Sequence, residues 1–246
     1  YKPNIVEAEA VNRALYFNHV TKSRLYIAHL TTSDALELLR RAQASGDDAL
    51  GETCTHYLTL TDREYSKKDG HNFICSPPLR SQDDVDALWR GLADGTLSIV
   101  SSDHCGFGLR QKNLGAGNFV NTPNGLPGIE LRLPVLFTEG VLKNRITLKR
   151  MVELLSTNPA KIFGLYPEKG AILPGSDADI TIIDGKQSKK VAAKELHGNV
   201  DWSPFEGMEL KGFAVSTILR GKVIVEKESL TVNKGYGKFI RRHFDE

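Results

Sequence analysis

The sequence predicts an α/β fold in which a parallel sheet is followed by a small β module. Three apolar strand candidates, "RLYIAHL", "ALGETCTHYL" and "TLSIVSSD", alternate with two segments of helical periodicity. Both faces of "RLYIAHL" are mostly apolar, which is typical of a parallel strand covered on both sides. After Tyr166 the pattern changes to β-rich segments with Gly and Asp at the turns.

Periodicity and capping residues predict the helices in order. Residues 4–21 follow Pro3 and carry apolar residues at helical spacing, so they form the first helix. The next helix is capped by Ser33 and ends at Gly46, and a third covers residues 83–93. These helices complete a β-α-β-α-β run, which implies a parallel sheet.

The second half of the chain contains further helices and then strands. A helix is expected over residues 125–140, and "LKRMVELLSTNPAKIFGL" predicts two short helices broken at Pro159. The segments "GAILPGSDADITIID", "FAVSTILRGKVIVEK" and "SLTV" predict the β module. The basic tail "GYGKFIRRHFDE" belongs to neither core and is expected to be disordered or bound by another subunit.

Composition narrows the class of partner. The chain has 246 residues, of which 40% are hydrophobic and 25% charged, with a net charge of +2. No basic block suggests nucleic acid, and no apolar run reaches the roughly 18 residues that span a bilayer, so we expect a small-molecule partner. The N-terminal residues lack the features of a signal peptide, which predicts a cytoplasmic protein. Three cysteines without a CxxC pair are expected to be reduced.

Two polar residues lie at the C-terminal ends of apolar strand candidates. His29 lies on the face of Leu25 and Ile27, and Asp103 lies on the face of Ile99. The carboxyl ends of barrel strands are where α/β barrels place their active sites, and an imidazole with a carboxylate suits zinc. Taken alone, His29 is better explained as a hydrogen-bonded buried histidine and Asp103 as a cap of the next loop, and only the pairing favours a metal site.

Four neighbouring residues are weaker candidates. On an extended backbone the side chain of His104 would point to the face opposite that of Asp103, so we expect at most a substrate-side or supporting role for it. Cys105 lies in a Gly-rich loop. Cys54 and His56 share a face by the same alternation, but the sequence shows no partners that would complete a zinc site with them. A structural role is expected for all four.

Two loops are suited to main-chain contacts with a ligand. In "CSPPLR", Ser76 is held extended because it precedes Pro77. In "TPNGLPGIE", Asn124 and Gly125 form a turn dipeptide that can expose peptide groups. Ordinary turns explain both loops about equally well.

The motifs together resemble a known family. "LYIAHLTT", "GETCTHYL", "CSPPLR", "SDHC", "PNGLPGIE" and "STNPAKIFGLYPEKGAILPGSDADI" occur in the order found in the D-hydantoinase and dihydropyrimidinase branch of the cyclic amidohydrolases. The resemblance implies that residues 1–166 are the C-terminal part of a TIM-type (β/α)8 barrel. It also implies a small β-sandwich module over residues 167–233 and a tail, 234–246, at a subunit interface.

The resemblance further implies a site and a reaction. Two zinc ions would be bridged by a carboxylated lysine and a hydroxide, with His29 bound to one ion and Asp103 to the other. The hydroxide would attack the ring carbonyl of a hydantoin or dihydropyrimidine, and Asp103 would carry the proton to the leaving nitrogen. Main-chain groups of Ser76 and Asn124 would hold the cyclic amide, and the product would be an N-carbamoyl amino acid.

The sequence departs from this family in its ligand set. The HxH pair, the lysine and the fifth-strand histidine have no match, so we expect half a barrel that is inactive until an N-terminal half completes it. We also expect a homo-oligomer, either a dimer or a tetramer. The alternatives are a non-catalytic scaffold of the collapsin response mediator type, and a dihydroorotase or allantoinase. His29 and Asp103 argue against the first, and "CSPPLR" with "PNGLPG" against the second.

Overall fold

The computed structural model describes residues 2–243, and its first part is the predicted β-α-β-α-β unit. The strands β1, β2 and β3 form a sheet in that order, and both neighbouring pairs are parallel. The elements are α1 (Asn4–Thr21), β1 (Leu25–Ile27), α2 (Ser33–Ala44), β2 (Ala49–Cys54), α3 (Gln82–Asp94) and β3 (Ile99–Ser101). The alternation of apolar strands and amphipathic helices therefore predicted the topology correctly.

Helix α2 begins one residue earlier than predicted. Thr32 is the capping residue, because its hydroxyl accepts a hydrogen bond from the main-chain N–H of Ala35 at 3.2 Å. Ser33 is instead the first helical residue, and its hydroxyl donates to Asp84 at the start of α3. The predicted cap at Ser33 is therefore wrong, while the helix ends next to Gly46 as expected.

The strands are shorter than the apolar runs that predicted them. Strand β1 ends at Ile27 and β3 at Ser101, two residues before His29 and Asp103 respectively. Strand β2 ends at Cys54, and the chain continues as a single helical turn, Thr55–Leu58. Side-chain alternation applies only to extended backbone, so the predicted placement of these residues by strand parity does not hold.

The segment after β3 is helical but irregular. Its helices are α4 (Leu109–Lys112), α5 (Arg132–Val135), α6 (Leu148–Val152) and α7 (Asn158–Ile162), with wider π-helical turns at Leu136–Val141 and Glu153–Thr157. The helix predicted from residue 125 starts later because Gly125 has a φ of 127° and Pro127 follows. The predicted break at Pro159 is not found. This proline lies in the first turn of α7, where its missing N–H is tolerated.

The β module is a four-stranded antiparallel sheet. Its strands are β4 (Ile180–Lys190), β5 (Glu209–Leu219), β6 (Lys222–Glu226) and β7 (Ser229–Leu230), ordered β4-β5-β6-β7. Within residues 2–243 the module has this one layer, so the second layer of the predicted sandwich is not among the described residues. The sandwich and the predicted domain boundaries stay predictions.

Two apolar clusters hold these parts together. The larger cluster packs α1, α2 and α3 around the parallel sheet and includes Leu39, Leu88 and Leu97, all fully buried. In the smaller cluster Val135 of α5 meets Phe205 and Leu210 of the module, which fixes the module against the helical segment. No helix in the described part of the chain is long and apolar enough to span a membrane.

The C-terminal tail contacts its own chain at Tyr236 and at His243. The carbonyl of Tyr236 accepts a hydrogen bond from Arg220, and the main-chain N–H of His243 donates to the carbonyl of Gly164 at 2.7 Å. Residues 244–246 of the predicted tail lie outside the described residues. The expected place of the tail at a subunit interface stays a prediction.

Candidate functional site

His29 and Asp103 occupy equivalent places at one edge of the parallel sheet. Each lies two residues beyond the end of its strand, and the carboxyl ends of parallel strands share an edge. Their φ angles are 40° and 39°, in the left-handed region that few residues other than glycine adopt. Backbone conformations of this kind cluster at functional sites, and here the same unusual one occurs at both predicted positions.

Glu52 in the centre of β2 connects the two strand ends. Its carboxylate accepts hydrogen bonds from the main-chain N–H of His29 at 3.3 Å and from the hydroxyl of Ser101 at 3.0 Å. The hydroxyl of Tyr26 also donates to it, and burial together with this carboxylate raises the pKa of Tyr26 well above its ordinary value. One acidic side chain therefore holds the ends of β1 and β3 in a fixed relation.

The side chains of His29 and Asp103 are available to a ligand. His29 is half-buried and Asp103 is exposed, and within residues 2–243 neither side chain forms a hydrogen bond or ion pair. An imidazole nitrogen and a carboxylate oxygen are both suitable zinc ligands. No group of three or more potential ligand side chains occurs in the described part of the chain, so zinc here would need ligands from elsewhere.

Cys54 and His56 lie in different elements. Cys54 is the last residue of β2, whereas His56 lies in the helical turn that follows, so the predicted shared face is wrong. Burial raises the pKa of Cys54, whose sulfur lies 3.2 Å from the Ser101 hydroxyl. His56 is only 3% exposed, and burial followed by the charge of His29 lowers its pKa to about 3. Both side chains are therefore neutral at ordinary pH.

His104 and Cys105 attach the loop after β3 to the loop that carries Asn124. The Nδ1 atom of His104 accepts a hydrogen bond from the main-chain N–H of Gly128 at 3.1 Å. The main-chain N–H of Cys105 donates to the carbonyl of Leu126 at 3.0 Å. These contacts agree with the structural role expected for both residues.

The Ser76 and Asn124 loops are joined directly. The main-chain N–H of Gly125 donates to the carbonyl of Ile74 at 3.0 Å, so the two loops run side by side. Gly125 is required there because a Cβ atom would lie 2.4 Å from the sulfur of Cys105, and its φ of 127° is unsuitable for other residues. Among the described residues, the main-chain groups of Ser76 and Asn124 form no hydrogen bonds.

Two clefts lie near these elements. One of about 400 Å³ runs along β1 and α1 and is lined by both His29 and Ser76. The other, of about 530 Å³, lies between α5 and the β module and includes none of the four predicted site residues. The first cleft therefore connects a predicted metal ligand with a predicted substrate-binding loop.

Glu52 and Lys112 were not predicted as site residues. A signal for Glu52 exists, because it is an acidic residue inside an otherwise uncharged strand. Lys112 donates hydrogen bonds to main-chain carbonyls in two loops that are far from each other in sequence. Main-chain partners of this kind leave no pattern in a sequence.

Comparison with solved structures identifies the class of fold. A crystal structure of a D-hydantoinase matches with a TM-score of 0.96 at 40% identity, covering 98% of this chain and 53% of that one. The dihydropyrimidinase from Brevibacillus agri NCHU1002 matches with a TM-score of 0.95 at 39% identity and the same coverage. The mixed α/β architecture, with its parallel and antiparallel sheets, is thus the amidohydrolase fold.

Sequence comparison identifies the family. The model of the amidohydrolase family matches residues 20–224, and the chain belongs to this family. D-phenylhydantoinase of Escherichia coli O1:K1 is 43% identical over 243 residues, which are 98% of this chain and 53% of the relative. The chain spans about half the length of the relatives it matches.

Proposed function

We propose that this chain is the C-terminal half of a zinc-dependent cyclic amidohydrolase. The complete enzyme would hydrolyse the cyclic amide bond of hydantoins or dihydropyrimidines and release N-carbamoyl amino acids. Membership of the amidohydrolase family and the names of the relatives support this reaction class. The observation that carries the proposal is the equivalent placement of His29 and Asp103 at one edge of the sheet, with side chains that form no hydrogen bond or ion pair among the described residues.

The metal would be held only in part by this chain. The imidazole of His29 would bind one zinc ion and the carboxylate of Asp103 a second. Two such zinc ions, when bound, lower the pKa of a shared water and polarise the carbonyl of the substrate. The further ligands, including a carboxylated lysine, would come from the missing N-terminal half of the barrel.

The residues of this chain would move the proton and orient the ring. Asp103 would accept a proton from the attacking water and deliver it to the ring nitrogen as the amide bond breaks. Its exposed carboxylate forms no hydrogen bond among residues 2–243, which leaves its oxygens available for the metal and for this transfer. The peptide groups of Ser76 and Asn124, which form no hydrogen bonds with the described residues, would hold the cyclic amide. A homo-oligomeric state and a cytoplasmic location stay predictions.

Hydrolysis of hydantoin and dihydrouracil by the protein complete with its N-terminal half tests the proposal. Asp103→Asn is expected to lower kcat for both substrates by about 10²–10⁴-fold, because the amide cannot accept the proton. Asp83→Asn, at an exposed position on α3, is the matched control and should retain activity.

Two outcomes would count against this function. Turnover by Asp103→Asn at the wild-type rate would remove Asp103 as the proton carrier. A wild-type protein that binds less than one zinc per site and hydrolyses neither substrate would instead support the non-catalytic scaffold.

A further inference from the structure

Lys112, at the end of α4, is fully buried. Lysine is almost never fully buried unless its charge is paired. The hydrogen-bond partners of its Nζ atom among the described residues are two main-chain oxygens, the carbonyl of Ile74 at 2.9 Å and that of Pro123 at 2.8 Å. The ring of Trp202 covers it, with its centroid 5.9 Å from Nζ, within the range of a cation–π contact.

The two carbonyls belong to the two loops that carry Ser76 and Asn124. Ile74 lies two residues before Ser76, and Pro123 lies directly before Asn124. The Ile74 carbonyl also accepts the hydrogen bond from Gly125, so Lys112 and Gly125 meet at the same oxygen. Lys112 therefore contacts both loops, at positions one or two residues before Asn124 and Ser76.

Burial of this amine has a cost that a purely apolar side chain would avoid. Desolvation lowers the pKa of Lys112 to about 8, because burial disfavours the charged form of the amine. A methionine could fill a similar volume, but it would leave one carbonyl without a hydrogen bond and the other with only one. The amine thus supplies directed donors at a point where two loops must be held together.

We propose that Lys112 is a positioning residue that fixes the Ser76 and Asn124 loops relative to each other, so that their peptide groups bind one small cyclic amide together. This inference rests on the proposed function for the identity of the ligand. The part that concerns the loops rests only on the contacts of Lys112. The two parts can therefore be tested separately.

The test compares wild type, Lys112→Met, Lys112→Gln and Lys68→Met in the protein complete with its N-terminal half. Lys112→Met is expected to speed hydrogen exchange at the Gly125 amide by about tenfold, the equivalent of one lost hydrogen bond. It should also raise KM for dihydrouracil about tenfold while kcat stays within about threefold. Exchange in β2 and the zinc content should not change, and Lys68→Met, at an exposed position, should match wild type.

Lys112→Gln keeps two N–H donors on a shorter side chain and should give an intermediate effect. It also replaces Lys112→Met in all measurements if that variant does not fold. Unchanged Gly125 exchange and unchanged KM would overturn the proposal. Equal loss of protection in β2 and at Gly125 would also overturn it, because Lys112 would then serve general stability. If the wild type hydrolyses no cyclic amide, the proposed function fails, whereas Gly125 exchange still decides whether Lys112 holds the loops.

Discussion

The buried His56 predicts a defined loss of stability in acid. Its Nε2 atom has no hydrogen-bond partner among residues 2–243, and its ring packs against Tyr57 with a centroid distance of 4.0 Å. Burial lowers its pKa from 6.5 to about 3 in the folded state, so the unfolded chain binds a proton that the folded chain does not. Stability therefore falls as the pH drops from about 6.5 towards about 3, and is fully present above this window.

The size of the effect follows from the width of this window. At about pH 4.5, two pH units below the ordinary pKa of histidine, His56 should reduce the free energy of unfolding by about 3 kcal/mol. His56→Phe keeps a buried ring and removes the titration. Urea unfolding of both proteins between pH 8 and pH 4.5 measures the effect. The difference at pH 8 gives the change in packing, and its change with pH gives the contribution of the proton.

Carboxylates such as Asp84 also lose stabilising contacts in acid, because their hydrogen bonds lower their pKa in the folded state. They contribute equally to wild type and to His56→Phe, so they cancel in the comparison. Equal slopes for the two proteins between pH 6.5 and pH 4.5 would refute the argument. Such a result would mean that His56 is protonated, and therefore solvated, in the folded protein.

Two further predictions concern stability. Glu52→Gln should reduce the free energy of unfolding, measured by urea denaturation, by about 1–3 kcal/mol. The reason is that the amide oxygen cannot accept hydrogen bonds from all three donors that the carboxylate binds. A change below about 0.5 kcal/mol would exclude Glu52 as the link between the strand ends. Gly170→Ala should cost about 2–5 kcal/mol, since its φ is 78° and the new Cβ would lie 2.5 Å from Cβ of Ala160. Gly175→Ala has a similar φ but open space around it, so an equal loss in thermal unfolding would disprove the steric contribution.

The topology of the parallel unit could be predicted because local and global signals agree there. Strands apolar on both faces and helices with an apolar stripe have one arrangement that buries them all, a covered parallel sheet. The bounds of α1 matched the prediction, and those of α3 differed by one residue at each end. Element ends were less predictable, because an apolar run does not show where the backbone leaves the extended region. The sequence therefore did not show that β1 ends at Ile27 and β3 at Ser101.

His29 and Asp103 reach one edge of the sheet for a reason other than strand parity. Parity applies to extended backbone, and both residues lie beyond their strands in left-handed conformations. What brings them to one edge is the parallel direction of β1 and β3, which the alternation of elements did predict. The carboxylate of Glu52 then fixes the distance between the two strand ends, a role that no pattern of spacing specifies.

The hydrogen bonds of Glu52 and Lys112 show what this chain itself contributes to the proposed active site. Glu52 bonds to the ends of β1 and β3 within this chain, and Lys112 bonds to the Ser76 and Asn124 loops within it. Contacts within residues 2–243 therefore link the strand ends to each other and the Ser76 and Asn124 loops to each other. The proposed N-terminal half would add metal ligands to these linked elements. Catalytic sites work in this way when their supporting contacts are in place before substrate binds.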